Sequence, residues 1–254
     1  MADDTILRPG LRPGAVVLVT GASAGIGEAV TEALAAKGCR VIAAARGMDR
    51  LRTIAERIGP ACHAFELDVT DPQSTAGLCE RLPAELREID ILINNAGHDI
   101  GGRRRFDLGD AEQWAHIIET NITGMIRVTR AVVPQMIERG RGHIVNLGSI
   151  AGLRAYPGGS IYAASKFAVR GFTSGLRADY AGSNIRVSEI LPGTVRTEFA
   201  RARLHDDEAA AEAFYDSFET LLTAADIARC VVFALEQPAH VVVSQLVVVP
   251  TSQW

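Results

Sequence analysis

Tyr162 and Lys166 stand four residues apart in Ser160-Ile161-Tyr162-Ala163-Ala164-Ser165-Lys166. A helix through this segment puts both on one face, a phenol beside an ammonium. A free tyrosine titrates near 10, so bringing it to ~7 takes about three units, or ~4 kcal/mol. One cation at ~4 Å supplies about that much at an effective dielectric constant of ~20. A phenol tuned this way can give a proton to a carbonyl oxygen or take one from an alcohol. Ser149 could hydrogen-bond the same oxygen and orient it. Asn121, in Thr120-Asn121-Ile122-Thr123-Gly124, is a candidate to hold a water that returns the proton through Lys166. Alone, a Tyr-xxx-Lys pair is usually a surface helix pair; the rest of the chain changes that reading.

Near the start lies Thr20-Gly21-Ala22-Ser23-Ala24-Gly25-Ile26-Gly27. A dinucleotide pyrophosphate needs close backbone approach and the partial positive charge of a helix N-terminus. Gly21 would permit the turn, Gly25 the approach and Gly27 tight helix–strand packing. The spacing is GxxxGxG rather than GxGxxG. The following strand ends Ala44-Ala45-Arg46. An acidic residue there would bond the ribose 2′-OH of NAD, whereas Arg accommodates the 2′-phosphate of NADP. Arg46 therefore favours NADP(H), and an oxidised nicotinamide would be a second cation for Tyr162. The alternative leaves Arg46 solvated, with Asp49 serving an NAD ribose. Asp68 is either an adenine contact or a turn cap with Asp71. In Asn94-Asn95-Ala96-Gly97 the asparagines can brace neighbouring strands, and Gly97 lets the backbone approach a ribose.

The elements that must position these residues alternate. Strands are predicted at 15–20, 40–45, 62–67, 89–94, 142–148, 185–191 and 241–249. Helices are predicted at 26–37, 48–57, 72–82, 110–138, 161–182, 206–219 and 224–236. The first strand, turn, helix and second strand make a βαβ unit. Strands such as Ile89-Asp90-Ile91-Leu92-Ile93 are nearly continuous in apolar residues, which suits a parallel sheet covered on both faces. Alternation throughout gives an α/β, doubly wound fold. Nothing resembling a linker or repeat divides the 254 residues, so a single domain over 1–254 is expected, with 1–14 an N-terminal extension and 196–223 a substrate lid.

Apolar content of 48% supports a sizeable core, and a net charge of −4 argues against a nucleic-acid-binding surface. Arg103-Arg104-Arg105 reads as a solvated loop. Cys39, Cys62, Cys79 and Cys230 are too scattered for a zinc site or a secreted disulfide framework, so no metal and buried free thiols are expected. Asp3 and Asp4 replace the cationic start of a signal peptide, and no apolar run reaches the ~20 residues of a membrane span. A soluble cytoplasmic protein acting on a small molecule is expected.

Taken together, Thr20-Gly21, Gly25, Gly27, Asn94-Asn95-Ala96-Gly97, Asn121, Ser149, Tyr162, Lys166 and Pro192-Gly193 resemble the short-chain dehydrogenase/reductase family over about residues 15–250. The resemblance implies a Rossmann-type seven-stranded parallel sheet with helices on both faces. It also implies a catalytic tetrad of Asn121, Ser149, Tyr162 and Lys166. Lys166 and Tyr162 would also meet the cofactor, Lys166 gripping the nicotinamide ribose, with Pro192, Gly193 and Thr197 along the nicotinamide amide. Ser23, Ile26, Val69, Ala96 and Val195 would complete the cofactor contacts. Dimers or tetramers are usual in the family. Asp68-Val69-Thr70-Asp71, Leu82-Pro83-Ala84-Glu85, Ala131-Val132-Val133-Pro134, Tyr156-Pro157-Gly158-Gly159 and Gln237-Pro238-Ala239-His240-Val241 are similar to the NADP-dependent 3-hydroxy acid (serine-type) dehydrogenases and sulfoacetaldehyde reductases within it. That implies hydride transfer between NADP(H) and a small polar hydroxy or oxo compound, often anionic, with His98, Arg154 and Tyr156 as substrate candidates. His98, Asp99 and Arg103–Arg105 depart from a loop that is uncharged in that group, and Arg154 stands where an aromatic residue is common. Non-redox relatives of the halohydrin-dehalogenase kind lack the cofactor turn and carry Arg where Lys166 stands. Non-catalytic nucleotide sensors tend to lose the Tyr or the Lys.

Overall fold

The computed structural model describes residues 10–205 and 207–253. Asp3, Asp4, most of the N-terminal extension and the first residue of the helix predicted at 206–219 lie outside the described residues. In chain order the elements are β1 (Val16–Thr20), α1 (Gly25–Ala36), β2 (Arg40–Ala45), α2 (Met48–Ile58), β3 (Cys62–Glu66), α3 (Pro72–Thr75) and β4 (Ile91–Asn94). Next come α4 (Ala111–Ile118), α5 (Met125–Glu138), β5 (Gly142–Leu147), α6 (Ser160–Asp179), β6 (Ile185–Pro192) and β7 (Val195–Arg196). The chain then forms α7 (Phe199–Arg203), α8 (Glu208–Asp216), β8 (Leu222–Thr223), α9 (Ala224–Glu236) and β9 (Gln245–Val248).

Seven strands form one parallel sheet in the order β3-β2-β1-β4-β5-β6-β9, and β7 pairs with β8 in a separate two-stranded ribbon. The period-2 alternation of a strand divides each one between two cores. Val17, Val19 and Val41 face Val30 and Leu34 of α1 and Val231 and Leu235 of α9. Val16, Leu18, Ile42 and Leu92 face Val128 and Val132 of α5 and Leu176 of α6. Fully burying each such side chain contributes ~1.5–3 kcal/mol. The central strands are therefore buried on both sides, and their carboxyl ends all open on one edge of the sheet. The αβ corners at 59–61, 139–141 and 181–184 lie at the opposite edge.

Three predicted elements differ from those observed. The helix expected at 72–82 is a single turn, Pro72–Thr75, begun by Asp71, whose carboxylate accepts from the Gln73 N–H at 2.8 Å. It stops because Ala76 is extended (ψ 136°) and Gly77 takes φ +61°, a conformation that breaks the helix; Leu78 and Leu82 still reach the core from the turns that follow. The helix expected at 110–138 is interrupted by a π-helical segment, Glu119–Gly124, between α4 and α5. The last strand begins at Gln245 rather than 241, since Val241 N–H turns back onto the Pro238 carbonyl. All four cysteines are free thiols, with Cys39 buried and the other three half-buried. No described helix is long and apolar enough to cross a membrane.

Candidate active site

At the carboxyl edge of the sheet a groove of about 1020 Å³ runs from the β1–α1 turn to the α7–α8 segment. Most of the residues singled out above line it, but Gly27, Asn94, Asn121, Asp49 and Asp99 do not.

The nucleotide end is built by hydrogen bonds between two turns. Thr20 Oγ1 accepts from the backbone N–H groups of Asn95 and Ala96, both at 3.0 Å. The Asn95 amide donates to the carbonyls of Thr20 (2.9 Å) and Gly21 (3.1 Å). Gly21 has φ +63°, and a Cβ at Gly27 would lie 2.2 Å from the Gly21 carbonyl oxygen. Only glycine allows α1 to press this close to the turn, so the cradle fits a pyrophosphate at the N-terminus of α1. Arg46 lines the groove at the end of β2, exposed and without a side-chain hydrogen bond or salt bridge among the described residues. Asp49 instead faces solvent, lies outside the groove and meets Arg52 at 3.4 Å. Asp68 is a turn residue at the groove wall. It lines the groove and also caps its own turn, accepting from the N–H (2.9 Å) and hydroxyl (2.7 Å) of Thr70. Burial opposes its charge, but those bonds and nearby Arg46 hold its carboxyl below the ordinary value.

Asn94 donates to Asn146 Oδ1 on the facing strand and to Thr129 Oγ1, both at 2.9 Å. Asn121, in the π-helical segment, is a buried brace. Its Oδ1 accepts from His98 N–H (2.9 Å), and its Nδ2 donates to the His98 carbonyl (3.0 Å) and to Ser165 Oγ (3.1 Å). The side chain thus ties the loop after β4 to α6.

The chemical end gathers Ser149, Tyr162 and Lys166. Lys166 projects from α6 beneath the end of β5, where its ammonium donates to the Leu147 carbonyl at 2.9 Å. Burial depresses its pKa to about 8, against the pull of Glu189 and Asp99. Its Nζ lies 5.7 Å from the centroid of the Tyr162 ring. The expected acidification of Tyr162 by Lys166 is not what the protein's own groups produce. Burial raises the phenol above its ordinary value, and the main counterweight is Arg203, with a smaller one from the hydroxyl of Ser149. Ser149 Oγ itself accepts from the Ala151 N–H at 3.1 Å, which fixes its orientation at the end of β5.

Arg203 carries no signal in the sequence. It projects from α7 with its guanidinium 5.7 Å from the Tyr162 ring centroid and 5.0 Å from that of Phe199. Behind it stands Asp99, with Arg203 Nε at 2.8 Å from Asp99 Oδ2 and side-chain exposures of 9% and 1%. The approach is close but poorly aligned, so neither atom gains a hydrogen bond from it; the hydroxyl of Tyr156, buried at the same end, also has no partner among the described residues. Of the three predicted substrate residues, Tyr156 offers this unpaired hydroxyl. Arg154 is exposed at the rim. His98 has both ring nitrogens engaged, Nε2 with Thr120 Oγ1 (3.0 Å) and Nδ1 accepting from Ile100 N–H (3.2 Å). Its ring is held by the protein itself, which removes the reason to expect it on an anion. A basic residue in a stretch without periodic pattern gives no signal of its own, so Arg203 emerges only when α7 folds over the groove.

The α7–α8 segment is held in place by Tyr215. Its hydroxyl donates to the Thr197 carbonyl (2.8 Å) and accepts from the N–H groups of Thr197 (3.2 Å) and Ala200 (3.3 Å). Arg50 of α2 joins it through Glu198 at 2.6 Å.

A parallel sheet of this order, with a glycine cradle at one end of its groove and a phenol–lysine pair at the other, defines a nucleotide-binding α/β enzyme. The chain belongs to the short chain dehydrogenase family, whose model matches residues 15–208. It is 40% identical to the NADP-dependent 3-hydroxy acid dehydrogenase YdfG of Escherichia coli K12 over 239 residues, 94% of this chain and 96% of that protein. It is likewise 40% identical to sulfoacetaldehyde reductase 2 of Chromohalobacter salexigens over 241 residues, 94% and 95% of the two chains. Among solved structures, the closed form of a serine dehydrogenase complexed with NADP+ superposes with a TM-score of 0.91 at 40% identity, covering 94% of this chain and 96% of the other.

Proposed function

We propose that this protein transfers hydride between NADP(H) and a small hydroxy or oxo compound bearing a polar, commonly anionic, group. The observation that carries the reading is the single groove that joins Arg46 and the glycine cradle to Ser149, Tyr162 and Lys166. The relatives' names agree with it. When bound, the nicotinamide supplies or accepts the hydride. The chain's own residues do the rest. The cradle at Gly21, Gly25 and Gly27 takes the pyrophosphate, and Arg46 meets the 2′-phosphate as a fork of donors. Ser149 and the Tyr162 hydroxyl converge on the substrate oxygen. Tyr162 gives its proton to that oxygen in reduction and takes it back in oxidation. Lys166, held on the Leu147 carbonyl, keeps a positive charge beside the phenol and stabilises its anion at the moment of transfer. Arg203 and Tyr156 hold the substrate's polar end, and the 196–223 segment closes over it as a lid. The chain works as a homo-oligomer in the cytoplasm, the former supported by an exposed apolar stripe on α5 at Ile126 and Ile137.

The test is NADPH consumption with a panel of short aldehydes and oxo acids, in wild type and Tyr162→Phe. Removing a general acid should lower turnover by about 10²–10⁴-fold. Titration of NADPH fluorescence should show cofactor binding retained. Wild-type turnover surviving in the variant would remove Tyr162 from its role.

A further inference from the structure

Arg203 is the buried arginine at the substrate end of the groove, where Arg103 and Arg154 are exposed, yet it carries an anion of its own. Asp99 sits directly behind the guanidinium and outside the groove lining, 1% exposed and 2.8 Å away. The arrangement is built rather than incidental. Gly101 N–H donates to the Arg203 carbonyl at 3.3 Å, so the loop after β4 and α7 are joined at backbone as well as side chain. A Cβ on Gly102 would lie 2.1 Å from Asp99 Oδ1, which means the loop wraps around the carboxylate. The contact leaves Arg203 Nε and Asp99 Oδ2 without aligned hydrogen bonds. Both atoms retain bonding capacity inside a site that excludes most water, and such atoms are costly unless a ligand or proton completes them.

We propose that Asp99 is a specificity-determining residue: it is the resident counter-ion of Arg203, and an anionic group of the substrate takes over that guanidinium only as Asp99 takes up a proton from solvent. The inference rests on the reading that the pocket admits a small hydroxy or oxo compound with an anionic end. Two carboxylate-like groups sharing one buried cation repel, and the cheaper arrangement protonates one of them. Burial already pushes the Asp99 carboxyl up to about 6, against the pull of Arg203, Arg103 and Lys166. The sign follows. Below about pH 6 Asp99 is neutral and Arg203 is open to an anion; as pH rises through that value the internal pair re-forms and the anion is discriminated against. Uncharged substrates feel no such gate.

The other groups facing Asp99 behave differently over this range. Lys166 of α6 stays charged until about pH 8, and burial keeps the phenols of Tyr162 and Tyr156 protonated. Arg103 of the same loop stacks on Tyr156 and on Phe214 of α8, with its guanidinium carbon 5.5 and 5.1 Å from their ring centroids. His98 is the other candidate for an acid-side effect. Burial lowers its pKa, and its Nδ1 is occupied as an acceptor.

The experiment is calorimetric titration of the NADP+-saturated protein with ethanesulfonate, which has no hydroxyl for NADP+ to oxidise and whose charge does not change between pH 5.5 and 7.5, in buffers of different ionisation enthalpy. Wild-type affinity should weaken by about tenfold or more from pH 5.5 to 7.5, with about one proton taken up on binding near pH 7.5. Asp99→Asn should bind the probe at least about tenfold more tightly than wild type at pH 7.5 and without the slope. A flat wild-type profile overturns the proposal, and that measurement needs no variant. A slope that survives in Asp99→Asn assigns it to His98 and also overturns it. Weaker binding by Asp99→Asn would mean that Asp99 merely aims Arg203, and absence of probe binding to both proteins at every pH would equally end the idea. The broader reading fails separately: it falls if wild type oxidises NADPH with no small carbonyl, charged or uncharged, and stands if uncharged aldehydes are reduced while the calorimetric profile is flat.

Discussion

The phenol of Tyr162 and the amine of Lys166 are pushed toward their neutral forms by the same burial, and this sets how turnover should depend on pH. Lys166 titrates at about 8 rather than near its ordinary value, so it carries its charge below that pH and loses it above. Tyr162, raised by burial, remains a proton donor throughout. For carbonyl reduction, kcat/KM with an uncharged aldehyde is expected to be level on the acid side of about pH 8 and to fall on the alkaline side. Initial rates from pH 6 to 10 check this, and a profile still level at pH 10 would contradict it. At the other end of the groove, Arg46→Ala removes a charge-assisted contact worth about 1.5–3 kcal/mol. The dissociation constant for NADPH should rise about 10–100-fold while that for NADH changes little. An equal loss for both cofactors would mean Arg46 does not read the 2′-phosphate.

At the level of elements, residues close in the chain were legible and those brought together by folding were not. The glycine turn, the Tyr162–Lys166 spacing and the strands that lead to them each show in a window of a few residues. Asp99 and Arg203 are separated by more than a hundred positions, and nothing local says that α7 will lay its arginine over the loop after β4. The same limit explains Tyr162. Spacing reveals the ammonium four residues on, but not the burial that dominates the phenol, nor the ring of Phe199 whose centroid lies 5.8 Å from its own. Helix breaks were hidden for a different reason. The π-helical segment at Glu119–Gly124 holds weak helix formers in Thr120, Asn121, Thr123 and Gly124, but composition does not tell a π-helical turn from an α-helical one, and the ties that Asn121 makes to His98 and Ser165 arise only on folding. Tyr215 tests what holds the α7–α8 segment in place. In Tyr215→Phe two inward-facing N–H groups, of Thr197 and Ala200, lose their acceptor. An unsatisfied buried donor costs about 1–3 kcal/mol. Lower thermal stability and a raised KM for substrate, with NADPH binding nearly unchanged, are expected from melting curves and steady-state rates. A KM equal to wild type would mean that α7 keeps its position without this hydroxyl.

For the molecule as a whole, the exposed side chains of Ile126 and Ile137 lie three turns apart on one stripe of α5, an uneconomical place for two large aliphatics on a lone protomer. Sedimentation should find a species larger than the 27.1 kDa chain, and Ile126→Glu with Ile137→Glu should shift it toward that mass. A wild-type monomer would rule the interface out. The division of labour across the sheet has a practical outcome. Every loop that carries chemistry leaves a carboxyl end, whereas the corners at 59–61, 139–141 and 181–184 return the chain on the far side, where Gly59, Gly140 and Gly182 border open space. The protein therefore has a working rim and a silent one. A peptide tag, fluorophore or surface tether grafted at Gly140 or Gly182 can report on or immobilise the catalyst without entering its groove.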